Sequence, residues 1–227
     1  SHPYRDWVIA ALNADIPYDR FSTLQLAADL APDAEPADRA ALGFLGLSPT
    51  YWKELQLPVE IIKTIVSDEY EERVHTLSSV FLGVNLACAR CHDHKYDPFT
   101  SEDYYGIAGV FASTRTSEHS LSKEIDGQRA AQLRRDAAKN EDEIKKLKAK
   151  KTEDHSQKIT ELEAAVSAIK ADPAYGAQLV TGVRDGSLKV EPAVGKHGSR
   201  IIYEDAPQNM ALEVRGNPNR TGGVVAR

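Results

Sequence analysis

The chain has only two cysteines, Cys88 and Cys91, which lie three residues apart with His92 directly after them. Two scattered cysteines would suggest a disulfide or two buried thiols, whereas a close pair followed by histidine indicates a site with its own chemistry. Of the 227 residues, 41% are hydrophobic and 27% are charged. These values are near those of ordinary globular proteins, and they exclude collagen-like, fully disordered and disulfide-scaffold chains.

The charge and hydropathy of the chain exclude two kinds of interaction. The net charge is −6, and the acidic excess lies in the first half of the sequence. Nucleic-acid binding needs clustered lysine and arginine to neutralise phosphates. No stretch approaches the roughly 20 apolar residues of a membrane-spanning helix. The sequence therefore predicts no nucleic-acid partner and no membrane span in this segment.

The motif Cys88-Ala89-Arg90-Cys91-His92 has the spacing at which a c-type haem is attached. One helical turn separates the two thiols, so both can reach the vinyl groups of a porphyrin. The imidazole that follows can then reach the iron. The sequence predicts one covalent haem c on Cys88 and Cys91, with His92 as the proximal iron ligand.

Three other interpretations of the motif stay open. A zinc site would add His94 to the three motif residues, but four donors within seven residues converge poorly on a tetrahedral ion. A thioredoxin-like redox pair normally lies in a βαβ context, whereas the flanks here read as helices. A plain structural disulfide would leave His92 without a role.

The remaining haem contacts are sought next to the motif and far along the chain. His94, Lys95 and Tyr96 can donate hydrogen bonds to the haem propionates, and a solvated turn is the alternative. Met210, the only methionine, is the candidate for the distal iron ligand. An open or water-ligated iron is an alternative, as is a histidine from elsewhere in the chain. Those histidines are His2, His119, His155 and His197.

The spacing of apolar residues and of turn residues predicts a mainly α fold in three parts. Residues 1–120 alternate helical patterns with proline-marked turns and form a helical haem-binding domain. Residues 121–172 carry two apolar seams whose register breaks at 150–155, which predicts an antiparallel helical hairpin. A dimerising coiled coil or a partner-docking arm is the alternative for this part. Residues 173–227 hold short β-type runs between turns and form a small β-rich segment, part of a larger domain in the parent protein.

A long stretch around the motif, residues 81–98, ends in His92-Asp93-His94-Lys95-Tyr96-Asp97-Pro98. This stretch resembles the planctomycete cytochrome-like family, which consists of large exported bacterial proteins. Shorter stretches that resemble the same family are residues 17–21, 25–30, 103–111 and 214–218. The chain reads Val-Ala-Arg at 225–227, where the family often has Val-Pro-Arg.

The resemblance implies an exported c-type haem domain, joined in longer proteins to other cytochrome or carbohydrate-binding modules. It carries the thioether role to Cys88 and Cys91 and the proximal-ligand role to His92. It implies no particular reaction.

The function predicted from the sequence is electron transfer by a c-type cytochrome domain of an exported protein. One alternative is a haem enzyme with an open iron site, peroxidase- or oxygenase-like and acting on polysaccharide. Another is a structural module stapled by haem. Haem attachment is completed outside the cytoplasm, so the parent protein is expected in the periplasm or at the cell surface. The expected partners are a redox protein or other domains of the same parent chain, together with an association with polysaccharide.

Overall fold

The computed structural model describes residues 2–48, 55–149, 155–195 and 197–227. This described part of the chain contains seven α-helices and six β-strands. The helices are α1 (His2–Asn13), α2 (Tyr18–Ala27), α3 (Gly43–Gly46), α4 (Val59–Leu77), α5 (Ser101–Ala112), α6 (Gly127–Ala149) and α7 (Ser156–Ala171). The strands are β1 (Thr114–Ser120), β2 (Leu179–Asp185), β3 (Ser187–Pro192), β4 (Ser199–Glu204), β5 (Met210–Glu213) and β6 (Thr221–Val225).

The fold is mixed α/β, so the prediction of a mainly α haem-cytochrome fold is wrong. Within the described residues, helices of all types make up 54% and strands 16%, with the strands arranged in three small antiparallel sheets. The sheets pair β1 with β2, β3 with β4, and β5 with β6. The sequence does not indicate β1, because Thr-Arg-Thr-Ser-Glu-His-Ser lacks the apolar alternation by which a half-buried strand is recognised. A strand therefore also precedes the helices α6 and α7.

The chain divides into two compact units, each built from two stretches of sequence. Unit 1 comprises Ser1–Leu47 and Ser117–Gly182. Unit 2 comprises Ser48–Thr116 and Val183–Arg227. The three-part division of the chain into residues 1–120, 121–172 and 173–227 stays a prediction.

The core of unit 1 forms where α2 meets a 3₁₀ helix at Pro36–Leu42. The buried members of this core are Leu24, Ala28, Ala41 and Leu42. Trp7 of α1 packs against the cluster and stacks on Phe21, with 5.5 Å between ring centroids. The Trp7 indole N–H donates to Asp38 Oδ1 at 3.1 Å, so the polar edge of the ring is satisfied at the margin of the core.

The helices α6 and α7 of unit 1 pack against each other as an antiparallel pair. The interhelical ion pairs are Lys148–Glu163 at 2.7 Å, Lys158–Glu143 at 2.6 Å and Lys170–Glu141 at 2.6 Å. Residues 150–154 of the predicted turn lie outside the described residues. No helix in the described part of the chain has the length and apolar character needed to cross a bilayer.

Unit 2 is built on α4 and α5. The buried residues of α4 include Ile62, Val66, Tyr70 and Val74, which recur every four positions and define one helix face. The buried side chains of α5 include Tyr104, Tyr105, Ala108 and Phe111. Thr100 caps α5 by accepting from the Asp103 backbone N–H, and Asp103 accepts from Thr100 in return. The reciprocal bonds satisfy backbone donors that the first helical turn leaves open.

Two β-hairpins complete unit 2. In the first, β3 and β4 pair from Ser187 opposite Glu204 to Pro192 opposite Ser199. In the second, Met210 of β5 lies opposite Val225 of β6, and the register shifts between Ala211 and Glu213. This shift precedes a turn that contains Gly216, whose φ of 70° lies in the left-handed region.

Replacing Leu42 by alanine tests the core of unit 1. Leu42 is fully buried, whereas Leu30 is 71% exposed. We expect Leu42→Ala to lower the free energy of unfolding by about 2–5 kcal/mol, because a cavity adds to the lost burial. Leu30→Ala should change it by less than about 0.5 kcal/mol. Urea unfolding followed by circular dichroism measures both, and equal losses would contradict this core assignment.

Candidate functional site

The two cysteines lie on a tight turn that follows α4. The chain leaves α4 through a π-helical turn at Ser78–Leu82, reverses at Gly83 with a φ of 69°, and enters a 3₁₀ helix at Leu86–Arg90. The buried Ser78 hydroxyl accepts from the Leu86 backbone N–H at 3.2 Å. This bond ties the start of the cysteine-bearing turn back to the end of α4.

The turn has one buried side and one exposed side. Leu86 and Ala89 are fully buried and lie three residues apart, so they share a side of the 3₁₀ helix. Cys88 and Cys91 are free thiols, and both are exposed. The motif therefore presents its sulfur atoms to solvent rather than to the interior of unit 2.

Arg90, between the two cysteines, is the buried centre of this region. Its Nη1 donates to Asp68 Oδ1 at 2.8 Å and also to Glu71 Oε2. Its Nε donates to Glu213 Oε2 at 3.3 Å. The guanidinium thus joins the cysteine turn to two residues of α4 and to the last residue of β5.

The remaining donors of Arg90 are also satisfied. Its Nη2 donates to Ser67 Oγ at 3.0 Å and to the Gly216 carbonyl oxygen at 3.1 Å. Arginine has five N–H donors, and here five acceptors surround them. The Tyr105 hydroxyl of α5 donates to the Arg90 carbonyl oxygen at 2.9 Å, so the main chain of the turn is held as well.

The electrostatics of this cluster are dominated by burial and by charge pairing. Burial opposes the charge of Arg90, but hydrogen bonds to Asp68 and Glu71 and the nearby Glu213 charge outweigh it and raise the pKa of the guanidinium. Burial raises the pKa of the Glu213 carboxyl, and the Ser67 hydrogen bond and the Arg90 charge offset only part of that rise. Each charge thus offsets part of the cost of burying the other.

Cys91 lies against the turn that follows β5. A Cβ atom added to Gly216 would lie 2.8 Å from Cys91 Sγ and 3.4 Å from Arg90 Nε. A side chain at position 216 would therefore collide with the thiol. The positive φ of Gly216 also favours glycine at this position. The Cys91 sulfur is thus in close contact with the turn that contains Gly216.

The residues after the cysteines form a self-contained turn. The His92 Nδ1 lies 2.7 Å from the carbonyl oxygen of Asp93. The His94 Nδ1 accepts from the Asp97 backbone N–H at 2.9 Å, which gives His94 a role in holding the turn. Lys95 lies over the ring of Tyr96, with 5.1 Å from Nζ to the centroid, and Tyr96 is 82% exposed.

Met210 is not brought to the motif by any described cavity. It begins β5 and lines a cleft of unit 2 whose described lining includes none of Cys88, Cys91 and His92. The distal-ligand role of Met210 and the propionate roles of His94, Lys95 and Tyr96 all depended on a bound haem.

The prediction of a covalent haem c is wrong. Both thiols are exposed. The described residues contain no group of three or more histidine, cysteine, aspartate or glutamate side chains placed to hold a metal ion. The buried side of the turn is filled by Arg90 and its carboxylates instead of an apolar pocket for a porphyrin. A CxxCH spacing specifies local geometry only, and here the surrounding fold supplies no haem site.

The cluster around Arg90 was not found from the sequence. In the structure, Asp68 and Glu71 of α4 pair with Arg90, and Glu69 is 4% exposed. A cation inside the cysteine motif and a nearby acidic run are the signals that could have indicated pairing. The contribution of Glu213, which lies 123 positions after Arg90, has no local signal.

Replacing Arg90 by methionine tests the cluster. The change leaves the Glu213 charge buried and unpaired, so we expect the free energy of unfolding to fall by about 3–5 kcal/mol at pH 7. Arg200→Met is the matched control, because the Arg200–Glu191 pair is about half exposed. We expect the control to cost less than about 1 kcal/mol. Adding Glu213→Gln to Arg90→Met should recover part of the loss, and no recovery would contradict the pairing.

The same variant has an expected pH dependence. A carboxyl with a raised pKa in the folded state contributes stability below the ordinary glutamate range and loses it as the pH rises through the raised value. Removing Arg90 raises that value further. The difference in unfolding free energy between wild type and Arg90→Met should therefore shrink between pH 7 and about pH 5. A difference that is constant or grows on acidification would show that Glu213 is not the group left unpaired.

Comparison with known families places this geometry in context. A family model described as "PSCyt2: Protein of unknown function (DUF1549)" matches residues 1–116, which include the cysteine turn and α5. A search of curated proteins and a search of solved structures each found no match. The family name agrees with the resemblance to planctomycete cytochrome-like proteins but describes no activity. Because the match covers just over half of its length, the chain belongs to the PSCyt2 family of proteins of unknown function.

Proposed function

We propose that the domain takes part in redox reactions through its two thiols, by thiol–disulfide exchange between Cys88, Cys91 and a disulfide of a partner protein. The observation that supports this proposal is the presentation of the motif. Two exposed, free thiols flank an arginine whose donors are all occupied by the protein itself. Arg90 thus holds the turn on its buried side, while both sulfur atoms stay accessible to solvent.

The backbone of the turn is compatible with a bond between the two sulfurs. Cys91 follows the 3₁₀ helix with φ and ψ of −104° and −27°, which continues the helical path. Residues three apart in a 3₁₀ helix are separated by about 6 Å along the axis and lie on the same side. Disulfides bridge Cα atoms that are about 4.4–6.8 Å apart. The sulfurs are unbonded in this structure, so closure requires the two side chains to move towards each other.

The exchange proceeds in two balanced steps. The Cys88 thiolate, after losing its proton to solvent, attacks one sulfur of the partner's disulfide and releases the other partner sulfur as a thiolate. The Cys91 thiolate then attacks the Cys88 sulfur, and the partner leaves with its second thiolate. The domain loses two electrons and two protons, and the partner's disulfide becomes two thiols. Cys88 attacks first because the Cys91 sulfur is crowded by the Gly216 turn.

The proposal includes the compartment in which the exchange takes place. Disulfides persist in oxidising compartments such as the bacterial periplasm and the cell surface. The family resemblance points to exported proteins, so we place the parent protein there. The partner in the exchange is a redox protein or another domain of the same parent chain.

Equilibration with glutathione tests the proposed exchange. Wild-type protein incubated with oxidised glutathione should lose both titratable thiols and about 2 Da of mass, as expected for an internal disulfide. The Cys88→Ser/Cys91→Ser variant should show no mass change. Two bound glutathiones, or two unreacted thiols, would contradict the proposal.

The order of attack is tested with single variants. Cys91→Ser should trap a mixed disulfide through Cys88, because the resolving thiol is absent. Cys88→Ser should form the mixed disulfide about tenfold more slowly, since its remaining thiol is the crowded one. Intact-mass measurement over time follows both reactions. Equal rates for the two variants would overturn the assignment of Cys88 as the attacking thiol.

A further inference from the structure

A cleft in unit 2 lies apart from the thiol chemistry. Its volume is about 310 Å³, within the range of ligand-binding pockets. One wall is a face of α4, formed by Lys63, Val66, Ser67 and Tyr70, which follow helical spacing. A second wall is one face of β3, formed by Leu188 and Val190 at alternate positions.

The third wall is the edge of a strand rather than its face. Gln208, Asn209, Met210 and Ala211 all line the cleft, although they are consecutive in the chain. Of this run, only Met210 and Ala211 belong to β5. Side chains alternate between the two faces of a strand, so these two adjacent lining residues indicate that the backbone edge of β5 borders the cleft. Within the described residues, β5 pairs only with β6. The other edge of β5 therefore has no strand partner there.

Gln208 shows how the protein uses this space. Its side-chain Nε2 donates to the Leu188 carbonyl oxygen at 3.3 Å and to the Ala112 carbonyl oxygen at 3.4 Å. Both are long bonds from a single amide group to main-chain acceptors at the margin of the cleft. The main-chain N–H groups of an added strand could donate to these carbonyl oxygens in place of the amide.

The charge of the cleft favours an acidic ligand. Of the described residues that line it, the charged ones are Lys63 and Glu213. The Glu213 charge is compensated by Arg90, with 3.3 Å between the two groups. Lys63 has no ion pair within the described part of the chain and is exposed at the mouth. The walls below it are apolar at Val66, Leu188 and Val190.

We propose that this cleft binds an extended peptide segment of a partner protein, which adds as a strand to the open edge of β5. Main-chain hydrogen bonds to β5 supply the binding, and alternate side chains of the peptide supply the selectivity. An apolar side chain faces Val66, Leu188 and Val190. An acidic side chain at the mouth pairs with Lys63.

Backbone methylation of the ligand provides the sharpest test. The probes are fluorescein-labelled, end-capped hexapeptides of alternating valine and threonine with one glutamate, varied in the position of the glutamate and measured by fluorescence anisotropy. In an antiparallel pair, only every second residue of a strand directs its N–H to the partner. N-methylation at one alternate set of positions should weaken binding by about tenfold, and methylation at the other set by less than about twofold.

Variants of the protein test the charge. Lys63→Gln should weaken binding of the glutamate peptides by about fivefold and leave their glutamine counterparts nearly unchanged. Lys189→Gln is the matched control, because Lys189 of β3 pairs with Glu204 at 2.8 Å and does not line the cleft. The control should bind like wild type.

Three outcomes would overturn the proposal. The first is no binding by any peptide of the set at concentrations up to about 1 mM. The second is loss of binding that does not alternate along the methylated positions. The third is complete displacement of the peptide by the short carboxylate valerate at equal concentration, which would identify a small-molecule site. Because both thiols lie outside the cleft lining, the Cys88→Ser/Cys91→Ser variant should bind the peptides unchanged.

Discussion

The buried guanidinium of Arg90 is the interaction on which the rest of unit 2 depends. A buried charge is tolerated only when opposite charge and hydrogen-bond partners compensate its lost hydration. Here that requirement brings together α4, the cysteine turn and the end of β5, which are distant in sequence. Removing one partner of such a cluster leaves a buried charge without compensation, so these elements must pack together. The positions of both thiols follow from that arrangement.

The cysteine motif illustrates what local sequence can and cannot establish. The spacing of Cys88, Cys91 and His92 predicts a haem site, whereas the structure places both thiols on an exposed turn. Whether a porphyrin fits depends on the volume and polarity on the buried side of the turn, which no short motif specifies. Arg90 fills that side with charge, and its partner Glu213 lies 123 positions later in the chain. The prediction of a haem site was wrong because the motif does not reveal this long-range contact.

Local signals are sufficient to indicate part of the secondary structure. Pro58 precedes α4, and Thr100 begins α5 through its capping box, because both act within a single turn of chain. By contrast, the polar strand β1 is stabilised by pairing with β2, whose first residue lies 65 positions after Thr114. Such pairing depends on tertiary context, which overrides weak intrinsic preference. The cleft at β5 could not be predicted from local sequence either, because its walls come from three separate elements.

The helices α6 and α7 form an arm of unit 1, and the start of α6 lies close to the end of α7. At its base, Arg129 pairs with Asp172 at 2.8 Å, and Arg134 donates to the Tyr175 carbonyl oxygen at 3.0 Å. Because the arm is closed there, equal insertions in α6 and α7 would extend it without disturbing the base. An insertion in only one helix would shift the lysine–glutamate ladder out of register. Arm length is thus free to diverge among relatives, provided that both helices change together.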